Sequence, residues 1–173
     1  MEEDYLHELG HHATGHDSTF CFKEGMAVYT VEVILESEGR VARAWPFFGR
    51  STSDWVAYCD AHGLRLPLER ALSWPGFSNA TPARDFLSWQ VYIIAGSVCR
   101  WYAAQYGARE LARCLARRRF LRATGELESE WLRTVGAEGD SAFDPIYQFP
   151  GSPRYARFIE FPASRLRLNP HGA

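Results

Sequence analysis

Apolar side chains recur three or four positions apart through most of the chain, the spacing that places them on one face of an α-helix. The pattern predicts helices over residues 2–14, 20–37, 51–63, 82–106, 108–119 and 124–135, and a short helix after Pro67. β-branched residues in the helix over 20–37 weaken that prediction slightly, but its length and spacing outweigh them. The sequence therefore predicts a mainly α fold.

Residues that favour helix ends agree with these boundaries. Ser51 and Asp54 have the spacing of a capping box. Gly63 and Gly107 follow the last periodic residues of two helices, where glycine provides a stop. Pro67 suits the first turn of the short helix.

The apolar faces also predict which side chains are buried. The first helix carries an apolar stripe beside its histidines, formed by Tyr5, Leu6, Leu9 and Ala13. The helix over residues 82–106 is buried through Phe86, Trp89, Ile93, Ala95, Val98, Trp101 and Tyr102. On the last two helices, the side chains predicted to point inward are those of Leu111, Leu115, Leu127, Trp131 and Leu132. The aromatic residues of the connection over 40–50 either pack in the core or line a substrate cleft.

The helical pattern lapses beyond Gly136. Five prolines exclude a long helix there, at Pro145, Pro150, Pro153, Pro162 and Pro170. Apolar residues that allow one or two short strands are Tyr155, Phe158, Phe161, Leu166 and Leu168. We therefore predict a helical domain over residues 1–136 and an irregular extension over 137–173 packed on the same domain.

Composition and charge limit the kinds of molecule that the protein is expected to bind. With 173 residues, of which 46% are hydrophobic and 14% aromatic, the chain is long enough for one well-buried domain. Its formal charge of −2 gives no reason to expect nucleic acid. The arginines of the run Arg113, Arg117, Arg118 and Arg119 would spread over a solvated helix face.

The cysteines and the hydropathy pattern leave the compartment open. Cys21, Cys59, Cys99 and Cys114 form no CxxC pair, so one or two disulfides and free buried thiols both stay possible. The sequence has no signal peptide and no apolar run of transmembrane length, so we expect no membrane segment. A start at Met1 implies a cytoplasmic protein, and a truncated chain implies an exported one. The oligomeric state is left open.

The candidate chemistry lies near the start of the chain, where His7, Glu8 and His11 spell HExxH. On a helix, residues four apart share one face, so two imidazoles can reach one Zn²⁺ at distances of about 2.0–2.1 Å. Glu8 then lies beside the metal and can act as a general base for an attacking water. A solvated, histidine-rich helix end is the alternative interpretation.

Two histidines are too few for a catalytic zinc site, which has three protein ligands and an open fourth position. Glu24, in the first turns of the helix over residues 20–37, is the best candidate for the third ligand. Cys21, one helical turn earlier, is a weaker rival that would make a closed structural site.

These motifs together resemble a known family. HELGH at residues 7–11, followed by KEGMAVYTVE at residues 23–32, resembles the gluzincin zinc metallopeptidases, the group with thermolysin and aminopeptidase N. The similarity is closest to the small peptidase-MA-like domains. It continues through the run from Tyr92 to Val98 and the last two predicted helices, to about Gly136.

The resemblance implies a zinc-dependent peptidase that acts on a peptide or protein. His7, His11 and Glu24 would hold Zn²⁺, and Glu8 would be the general base. A Tyr or His from a later helix usually helps to hold the oxyanion in this group, and we predict Tyr92 for that role. A tyrosine packed in the core is the alternative for Tyr92.

A metzincin-like assignment uses some of the same residues. That family has the pattern HExxHxxGxxH, or Asp in the last place, and Asp17 occupies the last place here. The turn position, however, is Thr14, with Gly15 one residue late, and such a turn favours a residue that accepts positive φ. Asp17 therefore stays an alternative third ligand.

The sequence departs from the larger gluzincins in two places. Thermolysin-like enzymes carry an Asp four residues after the glutamate ligand, and here that position is Val28. Members of the group also have a β-sheet before HExxH that aligns the substrate, whereas six residues precede the motif here. We therefore expect that sheet to be largely missing. The alternative function is a weakly active or non-catalytic zinc-binding module, or a fragment of a longer peptidase.

Overall fold

Seven helices make up the computed structural model, which describes residues 2–14, 20–74 and 82–143. They are α1 (Glu2–Thr14), α2 (Phe20–Ser37), α3 (Thr52–Ala61), α4 (Leu68–Leu72), α5 (Pro82–Tyr106), α6 (Ala108–Arg117) and α7 (Thr124–Glu138). No strand occurs in these ranges, so the prediction of a mainly α fold is confirmed for them. Asp17, and the strands predicted within residues 154–168, lie outside the described residues.

The predicted boundaries are close to the observed ones. The Oγ atom of Ser51 accepts a hydrogen bond from the Asp54 amide at 3.0 Å, and the Asp54 carboxylate accepts one from the Ser51 amide at 3.1 Å. This is the predicted capping box at the start of α3. Pro67 stands at the N-cap of α4, one position before the first turn.

Helices α6 and α7 differ from the prediction at their C-terminal ends. Helix α6 ends at Arg117 because Arg118 adopts a left-handed conformation, with φ of 56°. The amide of Arg119 then bonds back to the carbonyl of Cys114 at 3.1 Å, which closes the last turn. Helix α7 continues to Glu138, three residues beyond the predicted end at 135.

Close helix crossings place α2 between α1 and α5. A Cβ atom added to Gly96 of α5 would lie 2.3 Å from Cγ1 of Val28 in α2. On the other side of α2, a Cβ atom added to Gly10 of α1 would lie 2.5 Å from the Cα atom of Ala27. These glycines let the three backbones approach closely.

The core forms largely as the apolar pattern predicts. On α5, the predicted residues that are buried are Trp89, Ile93, Ala95, Val98, Trp101 and Tyr102. Of the predicted residues on the last two helices, Leu111, Leu127 and Trp131 are buried and Leu115 and Leu132 are half-buried. The side chain of Phe86 lies outside the described part of the chain. Trp131 donates its indole N–H to Ser97 Oγ at 3.0 Å, so this buried polar group is satisfied.

The apolar stripe predicted beside the histidines of α1 is exposed at two of its four residues, and the side chain of Ala13 lies outside the described part of the chain. Tyr5 is 69% exposed and Leu9 is 44% exposed, while Leu6 is half-buried. Helix α1 turns the face with Gly10 and the histidines toward α2 instead. The close approach at Gly10 and the polar contacts of the histidines with Glu24 decide this rotation.

The connection between α2 and α3 anchors the start of α1. The Glu3 carboxylate accepts hydrogen bonds from the amides of Arg43 and Ala44, at 3.0 and 2.8 Å. Glu2 forms an ion pair with Arg40 at 2.8 Å. The Trp45–Pro46 peptide bond in this connection is cis. The contacts with Glu2 and Glu3 hold the aromatic residues of the connection next to α1.

All four cysteines of the chain are buried free thiols. They are Cys21, Cys59, Cys99 and Cys114. Burial raises the pKa of Cys21 to about 12, so this side chain is a neutral thiol at neutral pH.

Within the described ranges, no helix has both the length and the apolar character needed to cross a membrane.

Candidate metal centre

Three side chains from α1 and α2 meet at one point. Each of His7, His11 and Glu24 offers a ligand atom, and these three atoms lie within 4.8 Å of one another. The Nε2 atom of His7 and the Nε2 atom of His11 are both 3.4 Å from Oε2 of Glu24. The two imidazole rings are nearly perpendicular, with centroids 4.7 Å apart.

The local sequence explains why these side chains converge. His7 and His11 are four residues apart on α1, so they share a face, and Gly10 lies on the same side of the helix. Gly10 contacts α2 at Ala27, one turn after Glu24. Because α1 crosses α2 closely at this point, the Glu24 carboxylate lies opposite both imidazoles.

The two distances from the histidines to Glu24 fit a tetrahedral metal ion. With metal–ligand distances of about 2.0–2.1 Å, two ligands of a tetrahedral zinc ion lie about 3.3–3.4 Å apart. Both histidine-to-glutamate distances are 3.4 Å. A hydrogen bond between the same groups would be shorter, at about 2.7–3.2 Å. Two imidazole nitrogens and one carboxylate oxygen are also a donor set that zinc uses in catalytic sites.

The electrostatic environments of His11 and Glu24 suit both side chains to binding a metal ion. Burial lowers the pKa of His11, although the negative charge of Glu24 acts in the opposite direction. A lower pKa leaves the imidazole neutral at neutral pH, with a lone pair available for a metal. Glu24 is only 6% exposed, and a buried carboxylate is costly unless positive or hydrogen-bonding groups meet it.

Comparisons with known protein families, curated proteins and solved structures found no match. The resemblance to gluzincins therefore stays a prediction, and the site is interpreted from its own geometry.

Tyr92 of α5 lies directly behind the three candidate ligands. Its side chain lies close enough to the Glu24 carboxylate to interact with it electrostatically. Burial, together with the charge and hydrogen bond of Glu24, raises the pKa of Tyr92 well above its usual value. The Tyr92 ring stacks against His7 at 6.2 Å and packs edge-on against Trp45 at 4.3 Å. Tyr92 is thus a core residue and also a contact of the site.

Glu8 lies at a cleft beside His7. Its side chain is exposed, and it lines a cleft of about 100 Å³ together with His7. Trp45 and Phe47, from the connection between α2 and α3, form the apolar wall of the same cleft. These aromatic residues pack and also line the cleft, and a role of this cleft in binding substrate stays a prediction.

The rival ligands are placed differently. Asp17 lies outside the described residues. Cys21 is not a member of the group of three, and its buried thiol interacts with Cys99. Val28 occupies the position of the thermolysin-type Asp and is fully buried against Gly96. A polar contact for the ligands comes instead from Tyr92.

Sequence reasoning missed two features that shape the site. The first is the interaction between Tyr92 and Glu24, because residues so far apart in the chain share no local pattern. The second is the anchoring of α1 by Glu3 through backbone amides of the 40–50 connection. The acidic first turn of α1, which includes Glu3, is a weak signal for such an anchor.

Proposed function

We propose that the protein is a zinc-dependent metallopeptidase of gluzincin type. The observation that carries the proposal is the spacing of His7 Nε2, His11 Nε2 and Glu24 Oε2, with both nitrogen-to-oxygen distances at 3.4 Å. The exposed Glu8 carboxylate beside His7, at the edge of a cleft, supports a hydrolytic role in addition to metal binding.

In this proposal His7, His11 and Glu24 hold the metal and Glu8 moves the proton. Zinc, when bound, supplies a water of lowered pKa and a Lewis acid for a peptide carbonyl. Glu8 accepts a proton from the attacking water and delivers it to the leaving amine. Trp45 and Phe47 give the substrate an apolar wall to pack against.

For Tyr92 the contacts support a positioning role. Because the Tyr92 hydroxyl interacts with the Glu24 carboxylate, it would orient that carboxylate toward the histidines. The role predicted from the resemblance, a hydrogen bond to the oxyanion, requires the hydroxyl to leave Glu24 during the reaction. The two roles predict different effects of Tyr92→Phe on zinc affinity.

Metal content of purified variants tests the ligand set. His11→Ala and Glu24→Ala should each lose zinc, because two remaining ligands do not make a protein zinc site. His12→Ala is the matched control, since His12 is adjacent but exposed and outside the group. Loss of zinc in Asp17→Ala with retention in Glu24→Ala would overturn the gluzincin assignment in favour of the metzincin-like one.

The reaction is tested with Glu8→Gln. This variant should keep one zinc per chain and lose the chelator-sensitive hydrolysis of a broad peptide library. Full activity without the Glu8 carboxylate would refute its role as the base. Loss of zinc would show that Glu8 is a ligand.

The second candidate is a zinc-binding module without peptidase activity, and the size of the cleft favours it. The cleft beside His7 measures about 100 Å³, below the 300–1,000 Å³ common for small-molecule sites. A protein that binds zinc, is stabilised by it and cleaves no peptide of the library would support this candidate.

A further inference from the structure

The outer face of α6 carries a stripe of arginines. Arg109, Arg113 and Arg117 are four residues apart, so they lie along one side of the helix, about 6 Å from one to the next along its axis. All three are exposed, whereas Leu111 and Cys114 on the opposite side are buried. The apolar side of α6 is therefore covered by the rest of the protein, and its basic side faces solvent.

The basic surface continues past the end of the helix. Arg119, two residues beyond α6, is also exposed. Six arginines and one glutamate lie within residues 107–122, a net formal charge of +5 in a chain whose total is −2. The rest of the chain is therefore acidic on balance, and positive charge is concentrated in this one segment.

The charges of the segment are not all balanced by acidic partners. Arg113 forms an ion pair with Glu110, and Arg122 forms one with Glu130 at 2.7 Å. Three arginines of the segment form no ion pair with any residue that the structure describes: Arg109, Arg117 and Arg119. These three guanidinium groups carry the positive potential of the surface.

The side chains around these arginines suit contact with a lipid surface. Ala112 and Ala116, also exposed on α6, are small, so they do not cover the longer arginine side chains. Leu121 is 41% exposed next to the basic segment and offers an apolar group to the boundary between lipid headgroups and acyl chains. No exposed aromatic ring lies on α6 or at residues 118–121, so nucleic-acid bases have no stacking partner there.

We propose that the outer face of α6, with Arg119 and Leu121, docks on a membrane surface rich in acidic phospholipids. A basic helix with one apolar side is typical of proteins that bind there. Arginine binds phosphate oxygens through paired hydrogen bonds, and each basic side chain near an acidic membrane strengthens binding by about fivefold. Helix α6 packs on α5, whereas α1 and α2 carry the candidate metal ligands, so this docking is independent of the proposed peptidase activity.

Co-sedimentation of the protein with vesicles of equal parts phosphatidylserine and phosphatidylcholine tests the proposal. Binding is expected to these vesicles, to weaken as salt is raised, and to be absent for vesicles of phosphatidylcholine alone. Arg109→Gln and Arg117→Gln should each weaken binding by about fivefold, and glutamine keeps the helix propensity of arginine. Leu121→Ser should weaken binding while leaving its salt dependence unchanged, because it removes an apolar contact and no charge.

Arg43→Gln is the matched control. It removes one exposed arginine from the connection between α2 and α3, so binding should equal that of the wild type. The proposal is overturned if the mixed vesicles do not bind, or if Arg43→Gln weakens binding as much as Arg117→Gln. It is also overturned if an oligonucleotide binds more tightly than the vesicles at the same ionic strength, since the surface would then serve nucleic acid.

Discussion

At the scale of single residues, the Glu24 carboxylate is the group on which the candidate site depends. It is buried, and three polar groups meet it, the imidazoles of His7 and His11 and the hydroxyl of Tyr92. Burial opposes a carboxylate charge unless positive or hydrogen-bonding partners compensate. A divalent cation between the ligands would supply that compensation, which links the burial of Glu24 to metal binding.

Tyr92→Phe separates the positioning role of Tyr92 from the oxyanion role. The variant keeps the ring that packs against Trp45 and Phe20, so it should fold normally. Removing the hydroxyl that orients Glu24 should weaken zinc affinity by about 10–100-fold, as measured by competition with a chelator. Unchanged zinc affinity with lost hydrolysis would favour the oxyanion role. Tyr29→Phe, a half-buried tyrosine elsewhere on α2, is the control.

Glu32 is a second buried carboxylate on α2, and it has a structural role. It accepts hydrogen bonds from the amide and the hydroxyl of Thr52, both at 2.7 Å, and faces Arg100 at 3.3 Å. Burial nevertheless raises the pKa of Glu32, since it outweighs the lowering by Thr52 and Arg100. The folded protein therefore binds this proton more tightly than the unfolded chain does.

The pKa of Glu32 predicts a pH dependence of stability. A raised folded-state pKa makes the contribution of Glu32 most favourable below its ordinary value of 4.5, and that contribution is lost as pH rises through the folded-state pKa. Glu32→Gln should remove this pH-dependent contribution. From pH 4.5 upward, the free energy of unfolding of the variant should therefore fall less than that of the wild type. Parallel profiles in denaturant unfolding would contradict the prediction. Glu38→Gln, an exposed change next to α2, controls for general charge effects.

At the scale of elements, the site depends on how closely α1 crosses α2. Helix α1 is held at its start by Glu3 and approaches α2 at Gly10. The crossing sets the distance between the two histidines and Glu24, because all three side chains project from these helices. A small shift of α1 would therefore change the metal geometry more than it would change the rest of the core.

Gly10→Ala tests this dependence. The added Cβ would lie 2.5 Å from the Cα atom of Ala27, so α1 must move away from α2. We expect a loss of stability of about 1–3 kcal/mol and a larger relative loss of zinc affinity. Gly136→Ala in α7 is the control, because nothing lies within 4 Å of its added Cβ, and it should gain up to about 1 kcal/mol. Wild-type zinc affinity in Gly10→Ala would show that the crossing does not set the site.

The elements themselves were largely predictable because their signals are local. The capping box of Ser51 and Asp54 and the stop at Gly107 depend on residues that are neighbours in the chain. The rotation of α1 was not predictable, since its apolar stripe and its histidine face are both plausible core faces until the partner helix is known. The early end of α6 was missed because Arg118 takes a left-handed conformation that usually marks glycine.

At the scale of the whole molecule, the candidate site depends on residues that are close in the sequence and on contacts between distant segments. The HExxH motif and Glu24 are recognised by the spacing of residues along the sequence. The three candidate ligands could therefore be named from the sequence. Their separation of 3.4 Å depends on the α1–α2 crossing, and the contact of Tyr92 depends on α5 packing against α2. These contacts join distant parts of the chain, which no local pattern encodes.

The position of α1 leads to a prediction about metal removal. This helix carries two of the three candidate ligands, and its outer face leaves Tyr5 and Leu9 exposed. A metal that binds only the folded state stabilises it by about 4 kcal/mol at 1,000 times its dissociation constant. Chelation should therefore lower the free energy of unfolding and speed amide hydrogen exchange in α1 and the first turns of α2, with little change in α5 and α7.

Hydrogen exchange read by mass spectrometry distinguishes this local effect from general loosening. His12→Ala should respond to chelator as the wild type does, because it leaves the three candidate ligands intact. His11→Ala should exchange rapidly in α1 with or without chelator, since it cannot hold the metal. Equal protection of α1 before and after chelation in the wild type would mean that the helix is held by packing and by Glu3 alone. In that case the three side chains would not act as a metal-dependent clasp between α1 and α2.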